Sequence, residues 1–287
     1  MSKVWLITGS ASGLGRTIAE AVLAAGDRLV ATARDPQLLA DLVERYGDRV
    51  RTAALDVTDA QAAQAAAQVA LDHFGRIDVL VNNAGFGHLA PFEQADEADF
   101  RAQIDTNFYG VVHMTRAVVP TMRQQRSGHI IQISSVGGRI GTPGMSAYQA
   151  AKWAVGGFSE VLNMELAPLG IKVCVLEPGG MRTGWVRRAG SRVPAILPDY
   201  APTVGALADM LGAYAGHETG DPVKVAEIVL ELAHHDQPPL HLLLGSDAVQ
   251  FAGDADAARA ASGELWRAVS VSTDVDAKGP IPSFPHA

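Results

Sequence analysis

Short apolar, β-branched runs alternate along this chain with segments of helical spacing, and that alternation narrows the fold more than any other feature. The runs are Val4–Thr8, Arg28–Ala33, Val50–Leu55, Val79–Val81, His129–Ser134, Ile171–Leu176 and Leu240–Leu244. Between them, helical periodicity covers Leu14–Ala25, Pro36–Tyr46, Ala60–Phe74, Asp99–Met122 and Ala147–Ala167. Strands that alternate with helices of this length build right-handed βαβ units around a parallel sheet. The strands read as almost unbroken apolar runs, as they must when helices cover both faces. The expected fold is α/β: a doubly wound, mostly parallel seven-stranded sheet with helices on both faces, in a single domain.

Residues 1–250 are expected to form that domain, and two regions break its rhythm. Glycines and prolines interrupt residues 184–221, with Trp185, Ile196, Leu207 and Met210 among them, so a long irregular insertion is expected to act as a substrate lid. Residues 251–287 read as a C-terminal extension, helical through Trp266, ending in a polar, frayed tail. At 48% hydrophobic residues, a chain of this length has ample material for one core. The net charge of −8 argues against nucleic acid as a partner, because such binders need a basic face. The single cysteine, Cys174 in "IKVCVLE", rules out a disulfide within the chain and suits a buried structural thiol in a reducing compartment. No apolar run approaches the ~20 residues of a membrane span, and the N-terminus enters the first strand without a leader pattern. A cytoplasmic protein is expected. His234, His235 and the other histidines lack ligand spacing, so no metal is expected.

The first strand runs into Thr8-Gly-Ser-Ala-Ser-Gly-Leu-Gly15. Gly9, Gly13 and Gly15 permit a tight turn, a close approach of backbone to a pyrophosphate, and tight packing of the next helix. Ser10, Ser12 and Leu14 share that turn. The helix then directs its free N–H groups and dipole at the anion, which makes this a Rossmann-type dinucleotide site. The second strand ends at Ala33, followed by Arg34 and Asp35. A carboxylate at that tip would bind both ribose hydroxyls of NAD, whereas the planar fork of Arg34 suits the 2′-phosphate of NADP. Asp35 stands before Pro36 and also reads as a helix cap, so NADP is the favoured cofactor. Asp56 and Val57 follow the third strand, and Asp56 is either a loop carboxylate or a contact for the adenine amino group. The "NNAG" stretch, with Asn83, Ala84 and Gly85, follows the fourth strand. Its asparagines are expected to tie strand ends together beneath the cofactor.

The fifth strand carries Ser134 and Ser135 to its carboxyl end, the edge where open parallel sheets bind ligands. Tyr148 and Lys152 lie four residues apart, so they share a helix face. A free phenol has a pKa near 10 and is a poor acid or base at neutrality. A nearby ammonium would draw that value down. The same spacing can also be the wet edge of a helix.

Taken in order, the glycine turn, "NNAG", the strand-end serine and Tyr-x-x-x-Lys resemble the short-chain dehydrogenase/reductase family in its single-domain branch. The resemblance covers about residues 3–183 and, more loosely, 222–250. Within it, "SSVGGRIGTPGMSAYQAAKWA" and "EPGGMRTGW" are most similar to the subgroup of 17β-hydroxysteroid dehydrogenases and retinol-reducing relatives. The resemblance implies that Ser135, thirteen residues before Tyr148, binds the substrate, that Tyr148 donates the proton, and that Lys152 tunes it and holds the nicotinamide ribose. Asn107 would hold a water that links the lysine to solvent. Pro178, Gly179, Met181 and Thr183 would hold the nicotinamide carboxamide, and Ser12 with Arg34 matches the pair found in NADP-preferring members. Leu14 and Ala151 replace the commoner isoleucine and serine without removing a bond the mechanism needs.

The expected activity is therefore NADP(H)-dependent interconversion of a ketone or aldehyde with an alcohol, on a medium-sized hydrophobic substrate. The cluster Arg182, Arg187, Arg188 and Arg192 leaves open a carrier- or CoA-linked 3-oxoacyl substrate, the plainer reading being a solvated face. A non-catalytic NADP-binding regulator is the third alternative. The resemblance further implies a homo-oligomer, dimer or tetramer, assembled through the Tyr148 helix and the Asp99–Met122 helix.

Overall fold

In the computed structural model of the chain, which describes residues 2–285, strand residues alternate between two cores. Val4, Leu6, Val30 and Leu80 point to one face of the sheet, and Trp5, Ile7, Leu29 and Val81 to the other. All are fully buried, which is why the strands read as unbroken apolar runs. The strands are β1 Val4–Ile7, β2 Arg28–Ala33, β3 Val50–Ala54, β4 Val79–Asn82, β5 Gly128–Ile133, β6 Ile171–Pro178 and β7 His241–Leu244. They form one sheet in the order β3-β2-β1-β4-β5-β6-β7, with every neighbouring pair parallel. The order reverses between β3 and β4, and that switch point places ligands at the carboxyl ends of β1 and β4.

Helices α1 (Gly13–Ala24) and α9 (Pro222–His234) cover one face. The other is covered by α3 (Ala60–Phe74), α5 (Gly110–Gln125) and α6 (Ser146–Leu166). Helix α2 (Ala40–Tyr46) follows a short 3-10 turn, Pro36–Leu39, so the expected Pro36–Tyr46 helix is two pieces. The expected Asp99–Met122 helix is also interrupted. Helix α4 (Glu97–Ile104) passes through one π-helical turn, Asp105–Tyr109, before α5 begins. Such bulges gather at functional sites because the wider turn re-aims a side chain. Here the residue inside it is Asn107.

Residues 184–221 depart most from expectation. They contain helices α7 (Trp185–Ala189) and α8 (Ala206–Tyr214) joined by short turns, rather than an irregular loop. The reason is a small apolar cluster of its own, described below. A parallel bridge between Met181 and Gly220 closes the base of the segment.

Helix α10 runs unbroken over Ser246–Leu265 and so spans the expected boundary at residue 250. Ala248 and Ala252 are buried, and Arg139 pairs with Asp256 at 2.8 Å, so the helix is tied to the main body. Helix α11 (Arg267–Val271) follows, and the tail returns so that Phe284 packs edge-on against Trp266 at 5.3 Å. The first residue of the expected domain, Met1, and the last two of the expected frayed tail, His286 and Ala287, lie outside the described residues.

Candidate active site

Strand β1 passes directly into the glycine turn, where Gly9 and Gly13 have φ of +69° and +56°. Side-chain-bearing residues rarely adopt these angles. At Gly15 the constraint is space: a Cβ there would run into Asn83 Nδ2 and the Gly9 carbonyl oxygen. Ser12 is the N-cap of α1, but its hydroxyl makes no capping hydrogen bond, and no acidic residue lies in the first turn. The helix therefore presents uncapped N–H groups and its positive end without a competing carboxylate. That arrangement fits the phosphates of a dinucleotide.

Beside the turn, side chains replace the missing strand ladder. Thr8 Oγ1 accepts from the Asn83 and Ala84 N–H groups at 2.9 Å each, and Asn83 Nδ2 donates to the Thr8 carbonyl at 2.9 Å. Asn82 Nδ2 donates to Gln132 Oε1 at 2.8 Å, joining β4 to β5. The asparagines thus lace β1, β4 and β5 together beneath the site, as their position in the sequence implied. At the β2 tip, Asp35 Oδ1 accepts from Gln37 N at 2.9 Å and caps the 3-10 turn, leaving exposed Arg34 as the free charge. Asp56 is held below the usual carboxylate range chiefly by the Thr58 N–H and hydroxyl, with Arg34 adding its field. One of its oxygens is thus engaged in its own loop. Val57 is buried beneath it, its carbonyl 3.0 Å from His113 Nδ1.

The chemistry-bearing residues meet at the ends of β4 and β5. Ser134 is buried and turns its hydroxyl toward the Lys152 carbonyl at 3.5 Å, whereas Ser135 lies next to Tyr148. Tyr148 and Lys152 occupy one buried face of α6, the ammonium 5.6 Å from the centre of the tyrosine ring. Lys152 Nζ donates to the Ile133 carbonyl at 2.8 Å. Asn107 is fully buried: Nδ2 donates to the carbonyls of Phe86 at 2.7 Å and Gln103 at 2.8 Å, while Oδ1 accepts from Phe86 N at 3.2 Å. Gly85 separates the two groups; a Cβ there would sit 2.5 Å from Asn107 Oδ1 and 3.7 Å from Lys152 Nζ.

Burial rather than the lysine dominates the electrostatics. The Tyr148 phenol is pushed up to about 12 by desolvation, with the Ser135 hydroxyl pulling the other way. Lys152 is drawn down to about 8 by the same desolvation. The expected lowering of the tyrosine by its neighbour is therefore outweighed, and the phenol shifts upward. A low-dielectric environment disfavours phenolate and ammonium alike. Cys174 is likewise pushed up to about 12 by burial and by Glu177, in keeping with an inert structural thiol.

The loop after β6 brings Pro178, Gly179, Met181 and Thr183 to the same edge. Asp247 of α10 accepts from Gly180 N at 2.8 Å, and Thr183 N donates to the Met181 carbonyl at 2.7 Å. Sequence reasoning missed Trp185, which lies tilted against the Tyr148 ring with centroids 5.0 Å apart. Leu89, Met145, Tyr148 and Val204 form a buried cluster, with Trp185 and Ile196 packed on it. An aromatic residue two positions after Thr183 was the available signal, but nothing in its spacing showed which way it turns.

A parallel doubly wound sheet, an anion-binding glycine turn and a buried Tyr–Lys pair beside a strand-end serine define a nicotinamide dinucleotide-dependent oxidoreductase. The comparisons with known proteins agree and narrow the class. The short chain dehydrogenase family profile matches residues 3–193. Oxidoreductase BOA17 of Botryotinia fuckeliana is 52% identical over 276 residues, 95% of this chain and 100% of that protein. The chain belongs to the short-chain dehydrogenase/reductase family. A crystal structure of a short-chain dehydrogenase from Streptomyces avermitilis superimposes with a TM-score of 0.88 at 40% identity, covering 96% of this chain and 100% of that one. More distant neighbours hold either nucleotide. One from Burkholderia cenocepacia is in complex with NADP (26% identity, TM-score 0.72, covering 92% and 96% of the two chains). One from Burkholderia phymatum is in complex with NAD (26% identity, TM-score 0.73, covering 98% of each).

Proposed function

We propose that this oxidoreductase uses NADP(H) to interconvert a ketone or aldehyde and the corresponding alcohol, acting on a medium-sized hydrophobic substrate. The observation that carries this reading is the buried Tyr148, flanked by Ser135 and Lys152 and roofed by an apolar cluster. When bound, the dinucleotide supplies or takes up the hydride at the carbonyl carbon. Ser135 donates a hydrogen bond to the substrate oxygen and polarises it. Tyr148 hands its proton to that oxygen as charge develops there. A phenol raised to about 12 by burial remains protonated at neutral pH, the form that reduction requires. In the oxidative direction the phenol must lose its proton, and Lys152 favours that loss whenever it carries its charge. The replacement proton would pass from solvent toward Lys152 through a water held by Asn107.

Several features support NADP over NAD. Arg34 is exposed at the β2 tip, Ser12 has a free hydroxyl, and Asp35 is engaged in its cap. Rates with NADPH and NADH across a panel of apolar ketones and aldehydes test both the cofactor and the substrate class. The carrier-linked alternative draws on the arginine cluster, but Arg182 already donates from Nε to the Glu218 carbonyl at 2.7 Å. Self-association through α5 and α6 forms part of the same proposal, since Tyr109, just before α5, and Val161 and Met164 of α6 are exposed. Light scattering on the purified chain tests it. The expected compartment is the cytoplasm, which cell fractionation tests. Among the described residues no helix is long and apolar enough to cross a membrane.

The decisive experiment is Tyr148→Phe. Turnover is expected to fall by about a thousandfold or more while NADPH binds with unchanged affinity. Retained turnover removes Tyr148 from the mechanism.

A further inference from the structure

Helix α7 starts two residues after Thr183, and Thr183 packs on the glycine turn. A Cβ placed on Gly13 would lie 3.5 Å from Thr183 Cβ and 4.0 Å from Arg188 Nη2. The guanidinium of Arg188 therefore stands over the turn that opens α1, although 175 positions separate it from Gly13 in sequence. Among the described residues it forms no salt bridge, and its one hydrogen bond runs from Nη1 to the Thr183 carbonyl at 3.4 Å. No acidic residue lies in the first turn of α1, and the Ser12 hydroxyl makes no cap there. An exposed guanidinium with no acidic side chain paired to it among the described residues thus lies near the positive end of a helix. Two positive features so placed repel each other unless a negative group fills the gap. The neighbouring arginines are placed differently: Arg182 is bound to the Glu218 carbonyl, and Arg187 lines a small cavity of about 180 Å³ with Gly216 and Glu218.

We infer that Arg188 is a ligand of the cofactor's diphosphate, delivered to the glycine turn by the lid. The inference rests on the dinucleotide reading of that turn. A guanidinium suits the role because its planar fork can engage two phosphate oxygens at once. Arg188 and Arg34 would then divide the cofactor, one holding the diphosphate common to NADP and NAD, the other the 2′-phosphate of NADP alone. The placement also links two events. Helix α7 carries Trp185 onto the Tyr148 ring at one end and Arg188 onto the glycine turn at the other. One short helix therefore joins the diphosphate contact to the packing over Tyr148.

The test is equilibrium binding of NADPH and NADH to the full chain and to Arg188→Met, Arg187→Met and Arg34→Ala, with thermal unfolding as the fold control. Arg188→Met is expected to weaken both nucleotides by the same factor, about tenfold or more for a charge-assisted contact. Arg34→Ala should weaken NADPH alone, and Arg187→Met should change neither. NADPH is further expected to protect residues 184–221 of the unmodified chain from proteolysis, and to lose that effect in Arg188→Met. Unchanged affinities in Arg188→Met, or an equal loss in Arg187→Met, overturn the inference while leaving the dinucleotide site intact. If the unmodified chain binds neither nucleotide, the underlying reading falls and the inference falls with it.

Discussion

The glycine turn and the 184–221 segment, the proposed lid, are built on opposite principles. At the turn, backbone is hemmed in by its neighbours: Gly15 has no room for a methyl group beside the Asn83 side chain and the Gly9 carbonyl, and Thr8 and Asn83 exchange hydrogen bonds between side chain and backbone at 2.9 Å. At the lid, side chains meet side chains, with Leu89 and Val204 buried against Tyr148 and Trp185 packed over them. The first arrangement tolerates almost no change of residue, because a backbone path has no alternative rotamer. The second tolerates any apolar side chain of similar volume.

The contrast can be broken most sharply at Gly15. Gly15→Ala forces backbone apart and is expected to cost about 3 kcal/mol or more, with NADPH binding lost. Calorimetric unfolding and nucleotide titration measure both. Intact NADPH binding in that variant would mean the turn is as pliable as the lid. Leu89→Ala should cost about 2 kcal/mol, the low end of the range for buried leucine because the lid can partly collapse. Leu89→Met should be nearly neutral. Urea midpoints together with KM for an apolar ketone test the pair, and equal damage from both would deny the lid its tolerance.

A smaller effect is expected at the edge strand behind the lid. His241 Nδ1 lies 2.9 Å from buried Glu177, and Glu160 is 3.2 Å from the other ring nitrogen. Glu177 foremost holds His241 above its ordinary 6.5, although nearby Arg139 opposes it. A raised folded pKa means the contact stabilises fully below about 6.5 and is lost as pH rises through the raised value. His241→Asn should flatten that pH dependence in unfolding measurements. The pair is partly open to solvent, so screening keeps its contribution to about 1 kcal/mol or less. The smallest effect belongs to the tail. Phe284→Ala removes one half-exposed aromatic contact with Trp266 and should cost about 0.5 kcal/mol or less, with turnover unchanged.

Much of the cofactor half was legible from spacing alone, because strand–turn–helix chemistry is local. A glycine turn after an apolar run, an arginine at the next strand tip and two asparagines after the fourth strand each occupy a few consecutive residues. The substrate half was legible only in part. Tyr148 and Lys152 stood out by their spacing and Ser135 through the family resemblance, but the π-helical turn that holds Asn107 left no mark in what read as one helix from Asp99 to Met122. The lid read as irregular because its order comes from contacts between Leu89, Met145 and Val204, which lie far apart in sequence.

By itself the sequence determined the parallel doubly wound sheet, the glycine turn after the first strand and the residue types that meet at that edge of the sheet. These follow from periodicity and turn chemistry, which act over a few residues. Only the tertiary structure decided which way the titrating groups shift and what packs over them. Burial holds Tyr148 near 12 and Lys152 near 8, and the fold sets Trp185 on the tyrosine and Arg188 over Gly13. Desolvation and long-range packing depend on what surrounds a group in space, and no interval along the chain records that.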